Sequence, residues 1–145
     1  METYEGGAHA YHATMPTDAL RHFRDALIEA EGFGLEALKQ AQIRLGEEVR
    51  GLMDRYNYKS VAADGFKAPS VVVCFAPSAE MKSGKAFAEQ GLQIAAGVPL
   101  ECGEREDYAS FRIGLFGLDK LMDISRTVAN LETALEKIRG QTVPA

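Results

Sequence analysis

A chain of 145 residues with 16 Lys and Arg against 21 Asp and Glu, a formal net charge of −5, has no basic stripe with which to displace counterions from nucleic-acid phosphates, so nonspecific nucleic-acid binding is argued against. An apolar fraction of 46% with 26% charged residues and no repeat describes one ordinary globular chain, long enough to bury roughly two-thirds of its unfolded surface. No stretch reaches membrane-spanning length, Met1 to Gly7 lacks the basic and apolar parts of a signal peptide, and Cys74 and Cys102 stand at no metal-ligand spacing, so the expected setting is reduced and cytoplasmic.

Through Met15 the chain mixes small, aromatic and polar residues around Gly6-Gly7 without a helical period, and it reads as an extended connector. Pro16-Thr17-Asp18 then supplies a helix start, with Leu20, Phe23 and Leu27 on one face and Gly32 as the expected stop. Leu35, Leu38, Leu45, Val49, Leu52 and Tyr56 recur at three- and four-residue steps and predict a second, longer amphipathic helix. After Asn57 the period changes. A short strand is expected near Lys59 to Ala62, and a better one at Ser70 to Phe75 between Pro69 and Pro77, whose unbroken apolar run predicts burial on both faces. Ser83 to Gln90 reads as a short helix closed by Gly91, Leu92 to Ala96 as a strand, and Gly97 to Tyr108 as an acidic, solvated loop. A strand around Arg112 follows. Asp123 caps a last helix whose Ile124, Val128, Leu131, Leu135 and Ile138 share a face, with Gly140 as its stop. This order predicts an α+β layer, a small sheet covered by the two long helices and the terminal one.

Arg112 is the leading functional candidate. It sits in Ser110-Phe111-Arg112-Ile113-Gly114-Leu115-Phe116-Gly117, an apolar run in which an unpaired guanidinium would be costly, and the nearby glycines allow a ligand or backbone to approach. Two readings stay open: an internal ion pair with one of the 21 acidic residues, or a bidentate site for a small acid. His9, His12 and His22 have no ligand-spaced companions, so no metal or proton-transfer role is assigned to them.

Taken together, Ala10-Tyr11-His12-Ala13-Thr14-Met15-Pro16 resembles the Tyr-His-x-Thr element of class V aminotransferases, the alanine:glyoxylate and serine:pyruvate branch of fold type I pyridoxal-phosphate enzymes. Phe111-Arg112-Ile113-Gly114-Leu115-Phe116-Gly117 resembles that family's Arg-Ile-Gly strand, and Gly91 to Gly97 falls where the family has a short strand and a glycine-containing loop. The resemblance spans nearly the whole chain, but only the family's C-terminal part. It implies residues 1–16 as a connector belonging to a large domain, and residues 17–145 as the small domain with its long linking helix.

The resemblance further implies pyridoxal 5'-phosphate in the complete enzyme, amino-acid and 2-oxo-acid substrates, and a homodimer. Arg112 would bind the substrate carboxylate, and Tyr11 and Thr14 would give hydroxyls to the cofactor phosphate of the neighbouring subunit. From the residues alone, Tyr11 and Thr14 read equally as a packed ring and a helix start. The family's cofactor-bearing lysine lies upstream in the large domain, and Lys39, Lys59, Lys67, Lys82, Lys85, Lys120 and Lys137 match no such position. The chain alone is therefore expected to be inactive. Rival readings are a noncatalytic small domain or subunit-interaction module, a phosphonate aminotransferase, or a desulfurase-like domain with Cys102 as its nucleophile. The acidic setting of Cys102 speaks against the last.

Overall fold

A computed structural model describes residues 5–7 and 14–142, and the chain divides into two compact units, 1–34 and 35–145. In the first unit, α1 (Thr17–Phe33) begins after Pro16, whose carbonyl accepts the Leu20 N–H, and Asp18 in the first turn complements the helix dipole. The helix runs through Gly32 and ends at Gly34. That glycine takes φ 99 and returns its N–H to the carbonyls of Ala30 and Glu31, so the expected stop moves two residues onward. None of the residues of α1 is buried; Leu20, Phe23, Leu27 and Ile28 all stand exposed.

In the second unit, α2 (Leu35–Arg55) forms where the leucine spacing predicts it. Leu45, Val49, Leu52 and Met53 are fully shielded, whereas Leu35 near the start is exposed. Its end is a Schellman closure: Asn57, at φ 63, gives its N–H to the Asp54 carbonyl, and Tyr58 reaches back to Met53 at 2.9 Å. A second stripe of α2, at four-residue steps, grips the segment entering the sheet. Gln42 Nε2 donates to the Pro69 carbonyl at 3.1 Å, Gly46 lies against the same carbonyl, and Arg50 Nη2 donates to the carbonyls of Ala68 and Val71. Partial burial lowers the Arg50 pKa from its ordinary value, the nearby Asp54 carboxylate acts in the opposite direction, and these carbonyls satisfy Nη2.

Three antiparallel strands follow in the spatial order β1 (Val71–Phe75), β3 (Ser110–Gly114), β2 (Ala95–Ala96). Val73 pairs with Arg112 and Cys74 with Phe111 on one side of β3, and Ala95 pairs with Arg112 on the other. Burial alternates along β1: Val72 and Cys74 are buried, Val71 and Val73 half-buried, Phe75 exposed. The two-sided burial expected from the valine run is thus corrected to one covered face, carrying Val72, Cys74, Phe111 and Ile113. The strand expected near Lys59 to Ala62 shrinks to a single bridge, Ser60 to Cys74, with two flanking hydrogen bonds, Phe75 to the Lys59 carbonyl and Val61 to the Val73 carbonyl.

The expected Ser83 to Gln90 helix is instead two turns, α3 (Ala79–Ser83) and α4 (Lys85–Ala88), which meet at Gly84 with φ 80. Ser78 starts the first by accepting the Met81 N–H. After β3 comes α5 (Leu118–Leu121), a short turn that the sequence reading left out. Asp123 caps α6 (Ile124–Thr142) through the Arg126 N–H, and this helix passes through Gly140 rather than stopping there. Leu131, Ala134, Leu135 and Ile138 of α6 join Leu45, Val49, Leu52, Phe87 and Phe111 in one core. The second unit is therefore an α+β layer whose sheet has α2 and α6 on one face and an open face on the other, and Arg112 stands on the open one. Burial pushes the Cys74 thiol up to about 11, which makes it a packing residue rather than a nucleophile.

Candidate functional site

Tyr11 lies outside the described residues, and so does His12. Thr14 is exposed in the first unit, two residues ahead of Pro16. Arg112 is in the second unit, and it is the residue around which a site can be built. Strand alternation puts it opposite Val73 and Ala95 on the uncovered side of the sheet, flanked by the buried Phe111 and Ile113 that anchor the strand. Its Nε donates to the Ala96 carbonyl at 3.0 Å. Among the described residues no carboxylate forms an ion pair with this half-buried side chain, and its one side-chain hydrogen bond is made by Nε. Of the two readings left open by the sequence, the internal ion pair finds no support there. A guanidinium can in general hold a carboxylate through two parallel N–H···O bonds.

The strand that supplies Ala96 is held close by a glycine. Gly97 gives its N–H to the Ser110 carbonyl at 2.9 Å, and a Cβ at that position would fall 2.1 Å from the same oxygen. Only glycine lets β2 come near enough to offer its carbonyl to Arg112. Farther along the open face, Phe75 meets Tyr108 edge to face at 5.9 Å, and a cavity of about 520 Å³ opens between Val61, Phe75, Leu100, Arg105 and Tyr108.

The acidic loop, read from the sequence as a solvated run, has internal order. The Glu104 carboxylate accepts the backbone N–H groups of Leu100, Glu101 and Cys102, the last two at 2.9 Å, in a turn where Glu101 and Gly103 both have positive φ. Those N–H groups, Glu101 first and then Cys102, push its pKa down to about 2. Since the folded value is depressed, the stabilisation is present above the ordinary value of about 4.5 and is lost as pH falls from there toward about 2. Glu104→Gln should therefore lower the melting temperature near neutral pH, with the gap to the wild type closing as pH falls from about 4.5 toward about 2; a gap independent of pH would refute the staple. Cys102 is exposed, and its N–H serves this staple.

None of the seven lysines is buried; Lys67 and Lys120, with the more shielded side chains among those in ion pairs, are paired with Asp64 and Asp119. Among the described residues no group of three or more His, Cys, Asp or Glu could hold a metal ion, and no helix is long and apolar enough to cross a membrane.

Compared with known proteins, the chain superposes on alanine–glyoxylate aminotransferase from Nostoc sp. with a TM-score of 0.70 and 20% identity, over 89% of this chain and 33% of that one. The fold is that of the C-terminal region of an aminotransferase. Aspartate aminotransferase of subgroup IV from Thermus thermophilus gives a TM-score of 0.47 with 19% identity, over 67% of this chain and 26% of that one. No protein-family model and no curated protein matches. The chain thus spans about a third of the length of the alanine–glyoxylate aminotransferase whose fold it shares.

Arg112 stands out in the sequence, but what holds it does not. The Ala96 carbonyl is a main-chain group with no side-chain signature, and the clue available was Gly97, whose position after a short apolar segment is the mark of a close backbone approach. Glu104 was hidden inside a charge run.

Proposed function

We propose that this chain is the C-terminal domain of a pyridoxal-phosphate-dependent aminotransferase, and that its own contribution to the reaction is to grip the substrate carboxylate. The observation that carries the reading is the Arg112 guanidinium, held by Ala96 at its Nε and unpaired at its forked end, in a domain with an aminotransferase C-terminal fold. A bidentate pair fixes both the position and the plane of an amino-acid or 2-oxo-acid carboxylate, which sets which face of the neighbouring carbon meets the reacting group. Tyr11 and Thr14 would give hydroxyls to the cofactor phosphate of a neighbouring subunit, and a homodimer follows from that crossing. When bound, the cofactor supplies the electron sink for amino-group transfer, and a lysine beyond these residues must carry it. Alanine or serine as donor and glyoxylate as acceptor are the substrates this reading favours, in a cytoplasmic setting.

The test is Arg112→Lys in the complete enzyme. Loss of the planar fork should raise KM roughly 10- to 100-fold for every amino acid with a free carboxylate, in line with about 1.5–3 kcal/mol for a charged hydrogen-bonded pair. An unchanged KM would return Arg112 to a purely structural role.

A second reading, a noncatalytic interaction module, is favoured by α1, whose Leu20, Phe23, Leu27 and Ile28 are between 48% and 62% exposed. Borohydride reduction of the isolated chain with pyridoxal phosphate separates active from inactive forms. Scattered or absent labelling fits either a domain lacking its cofactor lysine or such a module, and specific labelling of one lysine would overturn both.

A further inference from the structure

At the end of the core distant in sequence from Arg112, a groove of about 450 Å³ runs between the turn that closes α2, the segment after β1 and the last turns of α6. Its floor is apolar and firm: Met81 and Ile138 are 3% and 4% exposed. Its walls carry two aromatic rings, Tyr56 and Tyr58, with Phe75 at its border, and its charged lining residues are Lys59 and Arg139. Neither cation is among the ion pairs formed by the described residues. On the α6 side the carboxylates of Glu136 and Glu132 act on the Tyr56 hydroxyl, and Glu132 is already engaged by Arg55 at 3.2 Å. Burial raises the pKa of Tyr58 while Arg139 draws it down, so its hydroxyl stays protonated at neutral pH and Arg139 acts close by.

The rings are also held in place. Asn57 in the left-handed region and the Tyr58 to Met53 bond lock the Tyr56-Asn57-Tyr58 turn, and Tyr58 stacks edge to face on the buried Phe111 at 5.8 Å. Ligand pockets combine this range of volume with an apolar lining and a few convergent polar groups. A shape of flat apolar walls with two cations that form no ion pair among the described residues selects a ligand that is planar and negatively charged.

We infer that this groove is a second binding site, separate from Arg112, for a small aromatic carboxylate: the ring lies on Met81 and Ile138 between the tyrosines, and the carboxylate meets Lys59 and Arg139. None of its lining residues belongs to the Arg112, Ala95 and Ala96 set, so the inference does not depend on the proposed transaminase role.

The 145-residue chain, isotopically labelled, is titrated with indole-3-acetate and, as the uncharged match, indole-3-acetamide, while backbone amide resonances are followed. Saturable shifts confined to residues around Tyr58, Ala76, Ser78 and Arg139 are expected, with the acetamide at least roughly tenfold weaker, equal to about 1.4 kcal/mol. The Lys59→Gln/Arg139→Gln double variant, which changes surface side chains, should lose a similar factor, and Lys137→Gln on the same helix should not. Absence of saturable shifts up to about 10 mM, which leaves less than about 3 kcal/mol of binding, would overturn the site. Equal binding of acid and amide, or undiminished binding by the double variant, would overturn the role of the cations and with it the proposal.

Discussion

Phe111→Ala is expected to lower the unfolding free energy by about 3–5 kcal/mol, the range for deleting a buried aromatic ring whose surroundings close only partly. The ring is fully shielded in the central strand of the sheet. It packs at 5.4 Å against Phe87 and edge to face at 5.8 Å against Tyr58, so its removal strips contacts from the α4 side and from the turn closing α2 together. A domain with a total stability of about 5–15 kcal/mol would be brought near its threshold. Urea unfolding followed by circular dichroism gives the value through the shift in midpoint at constant slope. Phe66→Ala provides the contrast, because at 83% exposure it should stay within about 0.5 kcal/mol of the wild type. A Phe111 loss no larger than that of Phe66 would remove Phe111 from the centre of the core. Arg112 is the next residue along, so the same core sets where the guanidinium emerges.

The parts of this fold that were legible in the sequence are those governed by a long period. Leu45, Val49 and Leu52 on α2, and Leu131, Leu135 and Ile138 on α6, were identified as core from spacing alone, and they are buried. Shorter signals misled for identifiable reasons. Valine tolerates a half-exposed face as well as a buried one, so Val71 to Val73 could not reveal that only alternate residues are covered. Gly32 and Gly140 were read as helix stops because glycine favours helix ends, but the glycine that takes the positive φ of a left-handed cap is Gly34. The site shows the same division. Arg112 stands out in the sequence as a charge in an apolar run; whether it meets an internal carboxylate depends on tertiary placement. The groove was not legible, since Lys59 and Arg139 lie far apart in the chain and only the packing of α6 beside the end of α2 brings them to one lining.

Two glycines of α2 should answer the same substitution with opposite signs. Alanine is ordinarily favoured over glycine inside a helix by about 0.8–1 kcal/mol, through lower unfolded-state entropy and better helix propensity. At Gly51 a Cβ would meet nothing within 4 Å, so Gly51→Ala should show that gain as a stabilisation of about 1 kcal/mol. At Gly46 the same atom would fall 2.5 Å from the Pro69 carbonyl oxygen and 3.0 Å from its Cα, both main-chain atoms that cannot turn aside. Gly46→Ala must push the segment entering β1 away from the helix, which strains the bonds that Gln42 and Arg50 make to Pro69, Ala68 and Val71. Overpacking of this kind costs about 1–3 kcal/mol, more than the propensity gain returns, and the partly buried Arg50 loses carbonyls it has no substitute for. Denaturation midpoints for the two variants should therefore lie on either side of the wild type. If Gly46→Ala were stabilising as well, α2 would not grip the Ala68 to Val71 segment as described, and the register of β1 against β3, which presents Val73 to Arg112, would need another anchor.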